Sequence, residues 1–263
     1  MKPLRFFFLT AALFLLLTAS ASARQAKLIA LTFDDGPSRA CTPQILDTLE
    51  AKHAKATFFL VGEWLPGHED IVKRELADGD QIGNHTFAHK RLTALSDQEI
   101  QDSIAQTNRR LTDITGLKHF MVRPPYGARD PRVAAQIDAP IILWSVDAAS
   151  GKALSAQQLV NNIMAKAGDG GIILLHDTTQ ANADAVGPVI DRLHAQGYQF
   201  VTVQELFRRR GLAPCGHVMY KRIVSARVQL LDDLSLLLHG IWARVKLDLH
   251  KFLHRIIIKM LCI

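Results

Sequence analysis

Cysteine is scarce in this chain. There are three in 263 residues, Cys41, Cys215 and Cys262, and none has the spacing of a thiolate metal site. An oxidising compartment would permit one disulfide and leave one thiol over, and Cys41 with Cys215 is the pairing that would pin the end of the chain to its body. No glycine-rich dinucleotide fingerprint follows the first apolar run, which argues against a nucleotide fold. The apolar stretch Phe6 to Leu17 is too short for a membrane span. No nucleic-acid recognition motif is present either, so the formal charge of +6 is not read as a nucleic-acid footprint.

That charge is unevenly placed. Residues 208–263 carry 11 Lys/Arg against 3 Asp/Glu, whereas residues 24–207 carry 18 against 22. The basic excess therefore belongs to the tail. At the other end Lys2 and Arg5 precede the apolar stretch, and Ala21-Ser22-Ala23 supplies a small-x-small cleavage site. These are the parts of a secretory signal peptide over residues 1–23, and they predict export to the periplasm or cell envelope. Hydrophobic content of 48% with 21% charged residues suits a globular body with a sizeable core.

From Lys27 to about Val203 short apolar runs alternate with helical patterns. The runs are Leu28–Leu31, Ala56–Val61, Asp80–Gly83, Phe120–Arg123, Ile141–Val146, Ile172–Leu175 and Phe200–Val203. Thr42-Pro43 reads as a helix start, with a capping side chain and proline in the first turn. Ser96 with Glu99 reads as a capping box before a long amphipathic helix that Gly116 stops. Near-continuously apolar strands alternating with helices predict an α/β fold with a parallel sheet covered on its outer face. Seven such units suffice for a distorted (β/α) barrel of about seven parallel strands; an open doubly wound sheet is the alternative.

The chemistry-bearing residues gather just after these runs: Asp34 and Asp35, His85, Arg123, Asp147 and His176. In a parallel β/α barrel the C-terminal strand ends share one face, which carries the active site. Two adjacent carboxylates oppose each other's ionisation. The pair Asp34-Asp35 is tolerable if one holds a cation and the other handles a proton, with Gly36-Pro37 turning the chain away behind them. His85 and His89 are four apart, so on a helical turn both rings would project from one face. Two imidazoles and a carboxylate with open positions suit a catalytic divalent cation, often zinc. His53, His68, His119 and His194 lack such partners and read as surface or core histidines.

Four stretches, in order, resemble motifs of the NodB-homology polysaccharide deacetylases, carbohydrate esterase family 4. They are Thr32–Pro37, His85-Thr86-Phe87-Ala88-His89, Arg123-Pro124-Pro125-Tyr126-Gly127 and Leu174-Leu175-His176, and the likeness covers roughly residues 27–207. The resemblance implies a distorted (β/α) barrel that removes acetyl groups from sugar polymers with one divalent metal ion, most often Zn. It implies Asp35, His85 and His89 as metal ligands, Asp34 as general base and Arg123 as the group that holds that base. It implies further the backbone N–H of Tyr126 as oxyanion donor, His176 as general acid, and Leu174 with Pro125 and Tyr126 as substrate-binding residues. After the fifth strand the family has Asp-x-x-Asp-Trp. Here Asp147-Ala148-Ala149-Ser150-Gly151 keeps the aspartate that matches the histidine-tuning role and loses the second aspartate and the tryptophan. Trp64, Trp144 or a residue of the tail is the candidate replacement wall.

The expected substrate is an N-acetylated glycan such as chitin oligomers, peptidoglycan or poly-N-acetylglucosamine. The alternatives are an O-acetyl-xylan esterase, or a non-catalytic carbohydrate-binding protein on the same barrel. Retention of both proton-transfer groups argues against the last. Residues 208–263 form the third segment. Leu230, Leu234, Leu237, Ile241, Val245, Leu249, Phe252 and Ile256 recur at spacings of three and four, with basic residues between them. That basic amphipathic pattern predicts a C-terminal helical extension, either in peripheral contact with an anionic membrane through residues 220–263 or packed on its own barrel.

Overall fold

A computed structural model describes residues 26–224 apart from Arg129 and Ser150. The expected signal peptide, most of the tail and Cys262 lie outside the described residues. In chain order the elements are β1 (Lys27–Gly36), α1 (Thr42–Ala51), β2 (Ala56–Leu60), α2 (Glu69–Ala77), β3 (Gln81–Asn84), α3 (Asp97–Thr115) and α4 (Pro131–Ala135). They continue with β4 (Ile141–Ile142), β5 (Val146–Asp147), α5 (Ala156–Lys166), β6 (Gly171–His176), α6 (Gln180–Ala195), β7 (Tyr198–Phe200), α7 (Val203–Arg209) and β8 (Met219–Tyr220). Among the described residues no helix is long and apolar enough to cross a membrane.

β1 is the axis of the sheet. The strands lie in the order β3-β2-β1-β6-β5, with β7 paired to the first three residues of β1, and every one of these pairings is parallel. A bridge through Val122 connects Asn84 to Ile141 and so joins β3 to the β4-β8 pair. An antiparallel bridge from Gly171 to Arg222 carries the ring back to β6. The result is a distorted barrel, as expected.

Alternation along β1 decides what faces where, because successive strand side chains point to opposite sides. Ile29, Leu31 and Phe33 pack outward against Ile45, Leu46 and Leu49 of α1 and Val186, Val189 and Ile190 of α6. Leu28 and Ala30 face the interior with Phe59, Ile142, Ile172 and Phe207. The same interior face continues upward as Thr32 and Asp34. The barrel lumen is thus apolar at its base and turns polar only at the C-terminal strand ends. Each buried aliphatic or aromatic side chain in these layers contributes roughly 1.5–3 kcal/mol.

The helix ends largely follow their sequence signals. Ser96 Oγ accepts the Glu99 N–H while the Glu99 carboxylate accepts the Ser96 N–H at 2.8 Å, and Gly116 closes α3 with φ 73°. α1 starts at Thr42-Pro43 with proline in the first turn as expected, but the expected cap is absent: Cys41 is the N-cap residue without a side-chain cap bond, and the Thr42 hydroxyl is engaged by Asp177 and the Ser38 N–H instead.

Five further expectations are corrected. Ile141–Val146 is two two-residue strands, β4 and β5, because the guanidinium of Arg123 donates to the carbonyls of Ile142 and Leu143, at 3.0 and 3.2 Å. Phe120–Arg123 contributes only the bridge at Val122. The last run is displaced: β7 ends at Phe200, since Thr202 caps the next helix by accepting the Glu205 N–H at 3.1 Å. The boundary at 207/208 falls inside α7, and the chain beyond it returns to the barrel. There β8 pairs with β4, the Ile223 N–H donates to Gly170, and Ile223 and Val224 are buried. Cys41, buried, and Cys215, exposed, are both free thiols, so the disulfide between them is absent.

Candidate active site

Two neighbouring strand residues ordinarily face opposite ways, yet Asp34 and Asp35 both reach the barrel mouth. The cause is a bulge. The β1/β2 register runs Asp34 to Phe59 and then Gly36 to Leu60, which leaves Asp35 unpaired with φ 72°. A bulged residue re-aims its side chain and bends the strand. Asp34 stays in register with His176 on β6, and Thr32 with Leu174. Those four inward positions form one wall of the site.

His85 and His89 are not on a helical turn, contrary to the sequence expectation. They sit on a bend after β3, with left-handed backbone at Thr86 (φ 69°) and His89 (φ 51°). Asn84 Oδ1 accepts the Thr86 N–H at 2.7 Å, and Ser103 Oγ accepts the Phe87 N–H at 2.9 Å. The amides of Gly62 and Glu63 donate to the Thr86 and Phe87 carbonyls. This lacing holds the two imidazoles 5.0 Å apart, centroid to centroid. Positive-φ residues that cost energy persist where surrounding structure over-determines them, and such sites are commonly functional.

One ligand atom from each of Asp35, His85 and His89 lies within 4.8 Å of the others, the single group of this kind among the described residues. Asp35 Oδ1 stands 3.3 Å from His85 Nε2 and 3.1 Å from His89 Nε2, yet it is buried without a hydrogen bond. His85 Nδ1 lies 2.7 Å from the Arg123 carbonyl, an acceptor, so Nδ1 carries the proton and the neutral ring turns its Nε2 lone pair toward Oδ1. Facing lone pairs around an orphaned buried oxygen are what a shared cation relieves, and the second-neighbour carbonyl that fixes the tautomer is typical of a metal-binding histidine. The donor set of two nitrogens and one oxygen suits a divalent ion such as zinc.

Taken as protein groups alone, the site's charges hold one another. Burial opposes ionisation of Asp35, but the close approach of the His85 and His89 imidazoles, and the charge of His85 in its protonated form, outweigh it and keep the carboxyl far below the usual range. Burial likewise pulls His85 down, while the charges of Asp34 and Asp35 more than compensate and raise it.

Arg123 is wholly buried, and Asp34 is 3% exposed. Arg123 Nη1 donates to Asp34 Oδ1 at 2.7 Å and to Thr32 Oγ1 at 2.8 Å, and the guanidinium lies over the Phe59 ring. Burial pushes the guanidinium downward and the Asp34 charge pulls it back up. With Nε and Nη2 spent on the Ile142 and Leu143 carbonyls, this arginine is fixed in one pose, which in turn fixes Asp34 Oδ1. Asp34 Oδ2 is left toward the mouth, 3.6 Å from His85 Nε2.

Tyr126 is 57% exposed, with φ 60°, its ring against His89 and under the guanidinium of Arg91. Pro125 is buried, and the amides of Gly127 and Ala128 donate to the carbonyls of Pro124 and Pro125. The Tyr126 amide is the one that makes no bond within this turn. A side chain at Gly127 would meet the Trp144 ring at 2.8 Å, so Trp144 walls the underside of the turn, whereas Trp64 is exposed. His176 is a third exposed, with Nε2 3.9 Å from Asp35 Oδ2, and Leu174 is buried beneath it. Asp147 lies on β5 in register with Leu174, and its Oδ1 accepts the Ala149 N–H at 3.1 Å.

Sequence reasoning passed over Thr32, Asn84 and Asp177. Each lies one or two positions from a singled-out residue, so the available sequence signal is a polar side chain beside a motif residue; that all three are buried is seen only in the structure.

Residues 21–139 match the family described as polysaccharide deacetylase. The peptidoglycan-N-acetylglucosamine deacetylase PgdA of Listeria monocytogenes is 43% identical over 185 residues, 70% of this chain and 40% of that one. The chain thus spans less than half the length of that relative. Among solved structures, a T48 deacetylase with substrate has 36% identity and a TM-score of 0.71, over 74% of this chain and 97% of that one. A family 4 acetyl xylan esterase from Clostridium thermocellum, in complex with a cobalt ion, has 32% identity and a TM-score of 0.71, over 75% and 99%. With a matching family model and more than 30% identity to solved relatives over nearly their whole length, the chain belongs to the polysaccharide deacetylase family.

Proposed function

We propose that the chain is a metal-dependent hydrolase that removes acetyl groups from an N-acetylated polysaccharide of the cell envelope. The observation that carries this reading is the convergence of Asp35, His85 and His89 on one point beside an Asp34 locked by a buried arginine. Asp35, His85 and His89 would hold the ion. When bound, such a cation supplies Lewis acidity and lowers the pKa of water toward about 7.

The chain's own residues complete the reaction. Asp34 takes a proton from the attacking water through Oδ2, the oxygen that Arg123 leaves uncommitted. The Tyr126 N–H, displayed by its left-handed turn, donates to the oxyanion that develops on the acetyl carbonyl. An amine leaves poorly unless protonated, and His176 is the titratable group beside Asp35 with a third of its side chain open to substrate. Asp147 on the adjacent strand steadies that histidine, and Leu174 forms the floor for the acetyl methyl. Pro125 and the exposed Tyr126 ring offer the sugar its contact surface. Export by the signal peptide and peripheral membrane contact by the tail place the enzyme at the envelope in this reading.

Acetate release tests it on peptidoglycan, poly-N-acetylglucosamine, chitin oligomers and acetylxylan, with chelator and with added Zn²⁺. Release from the N-acetylated polymers that chelation stops and Zn²⁺ restores is expected. Release from acetylxylan alone would make the chain an esterase. Saturable binding without release would make it a carbohydrate-binding protein.

A further inference from the structure

Asp177 follows β6 directly and is fully buried, yet the mechanism above makes no use of it. Its Oδ2 accepts the Thr42 hydroxyl at 2.5 Å, and Oδ1 has no hydrogen-bond partner among the described residues. A carboxyl group left half-satisfied in a barrel wall costs stability, so its position calls for a reason. Burial pushes it up to about 7 against the pull of the Thr42 hydrogen bond, and the charges of Asp35 and Asp34 add to the rise.

Its neighbours supply that reason. A Cβ built on Gly36 would lie 2.2 Å from Oδ2 and 2.5 Å from Oδ1, so the carboxyl lies flat on the Cα of Gly36. Gly36 ends the bulge that turns Asp35 into the site. The Asp177 N–H donates to the Asp34 carbonyl at 3.3 Å, which grips the same bulge from its other end. Thr42 extends the brace: its hydroxyl also accepts the Ser38 N–H at 2.8 Å, and its own N–H donates to the Ser38 carbonyl. One buried carboxyl therefore ties the end of β6, the bulge of β1 and the start of α1 together.

We propose that Asp177 is a positioning residue for the Asp34–Asp35 bulge: its carboxyl, held by Thr42, presses on Gly36 and fixes the direction in which both site carboxylates point. Asp35 adopts a left-handed backbone that a non-glycine residue leaves unless it is held. The absence of a side chain at Gly36 is the other half of the contact, since any Cβ would displace the carboxyl. The inference rests on the proposed function for its kinetic readout but not for its structural one.

The test uses the full chain carrying Asp177→Asn, Asp177→Ala, Gly36→Ala, Gly36→Ala with Asp177→Ala, Thr42→Val or Thr42→Ser. Three quantities are read: Zn²⁺ affinity by chelator competition, kcat for acetate release, and the crystal structure of the metal-free protein. Asp177→Asn, which keeps the shape and an acceptor for Thr42, is expected to stay within about threefold of wild type in both solution measurements. Asp177→Ala and Gly36→Ala are each expected to lower kcat and Zn²⁺ affinity at least tenfold with circular dichroism unchanged. The double variant should match Asp177→Ala alone, because the added methyl then occupies vacated space. If Asp177→Ala fails to fold, Thr42→Val is expected to weaken both measures severalfold and Thr42→Ser to restore them. Crystals of the Ala or Val variant should place the Asp35 carboxylate away from His85 and His89. An unmoved Asp35 in those crystals overturns the proposal, as does wild-type behaviour of Asp177→Ala or losses that multiply in the double variant. A displaced Asp35 in a chain that releases no acetate from any glycan would leave the brace standing and remove the proposed function instead.

Discussion

At the scale of single residues the Arg123–Asp34 pair joins structure to chemistry. Both groups are buried, so removing one partner leaves an uncompensated charge inside the barrel, at a cost of about 3–5 kcal/mol. Arg123→Met is expected to lose stability on that order and most turnover, as followed by urea unfolding and acetate release. Asp34→Asn should lower kcat by about 10²–10⁴ while the protein still binds Zn²⁺, because the amide cannot take the proton. The double variant Asp34→Asn/Arg123→Met is expected to regain much of the stability and none of the turnover. That split would separate the ion pair's structural role from its chemical one. The participants in this site were legible as residues, since four ordered stretches carry them. The conformation that makes them converge was not. Nothing in Thr32-Phe33-Asp34-Asp35-Gly36 announces that Asp35 takes φ 72° and so faces the same way as its neighbour. The His85–His89 spacing suggested a helical turn that the Asn84 and Ser103 side chains replace with a bend.

At the scale of elements, local signals and tertiary demands divide the outcome. Helix starts were readable where the signal is local: the Ser96–Glu99 capping box forms and Pro43 stands in the first turn of α1, whereas the Thr42 hydroxyl is drawn to Asp177 and caps nothing. The strand at 141–146 was misread because the cause of its interruption lies 18 or more residues away, in an arginine that claims its carbonyls. β3 offers a test of a different tertiary demand. Asp80, immediately before it, is buried and accepts the Ala56 N–H at 2.7 Å, joining the starts of β2 and β3. Burial raises its pKa to about 6, with the Ala56 hydrogen bond and Lys55 only partly opposing it. A carboxyl whose folded pKa lies above its unfolded value near 3.8 favours the folded state while protonated. Its penalty is absent below pH 4, grows as pH rises, and is complete above the folded pKa, where it reaches about 3 kcal/mol. Asp80→Asn keeps an acceptor for Ala56 without the charge. The stability difference, variant minus wild type, is therefore expected near zero at pH 4 and at most about 3 kcal/mol in the variant's favour at pH 8. Denaturant midpoints at the two pH values check it, and a difference independent of pH would show that Asp80 ionises without cost.

At the scale of the molecule the question is where the barrel ends. Composition changes after the arginine run at 208–210, and that shift put the boundary at 207. Packing puts it later, because a strand of two residues carries almost no sequence signal and β8 is such a strand. Met219 and Tyr220 pair with Ile141 and Ile142, the Tyr220 ring meets Phe207 edge-on at 4.7 Å, and Ile223 fills the interior cluster beside Leu28 and Ile172. The Ile223 carbonyl also lies against Gly170, where a Cβ would approach it to 2.2 Å, so this segment seals the base of the barrel with no room to spare. Burial of Ile223 alone is worth roughly 1.5–3 kcal/mol, and a chain cut after Phe207 would lose that contact, the β4–β8 pairing and the last turn of α7 together. Such a cut is expected to yield aggregated or unfolded protein, whereas a cut after Val224 should retain a cooperative unfolding transition and acetate release. The same pair of cuts sharpens the proposal of membrane contact. Only the chain ending at Val224 removes the basic amphipathic stretch from Val228 onward without opening the barrel, so it alone can be compared with the full chain. The full chain is expected to bind anionic liposomes and to be released by salt, because the attraction between basic side chains and an anionic surface is screened beyond about 10 Å at 0.1 M ionic strength. The chain ending at Val224 should not bind them at any salt concentration. Equal liposome binding by the two would remove the anchor and leave the basic stretch a different role.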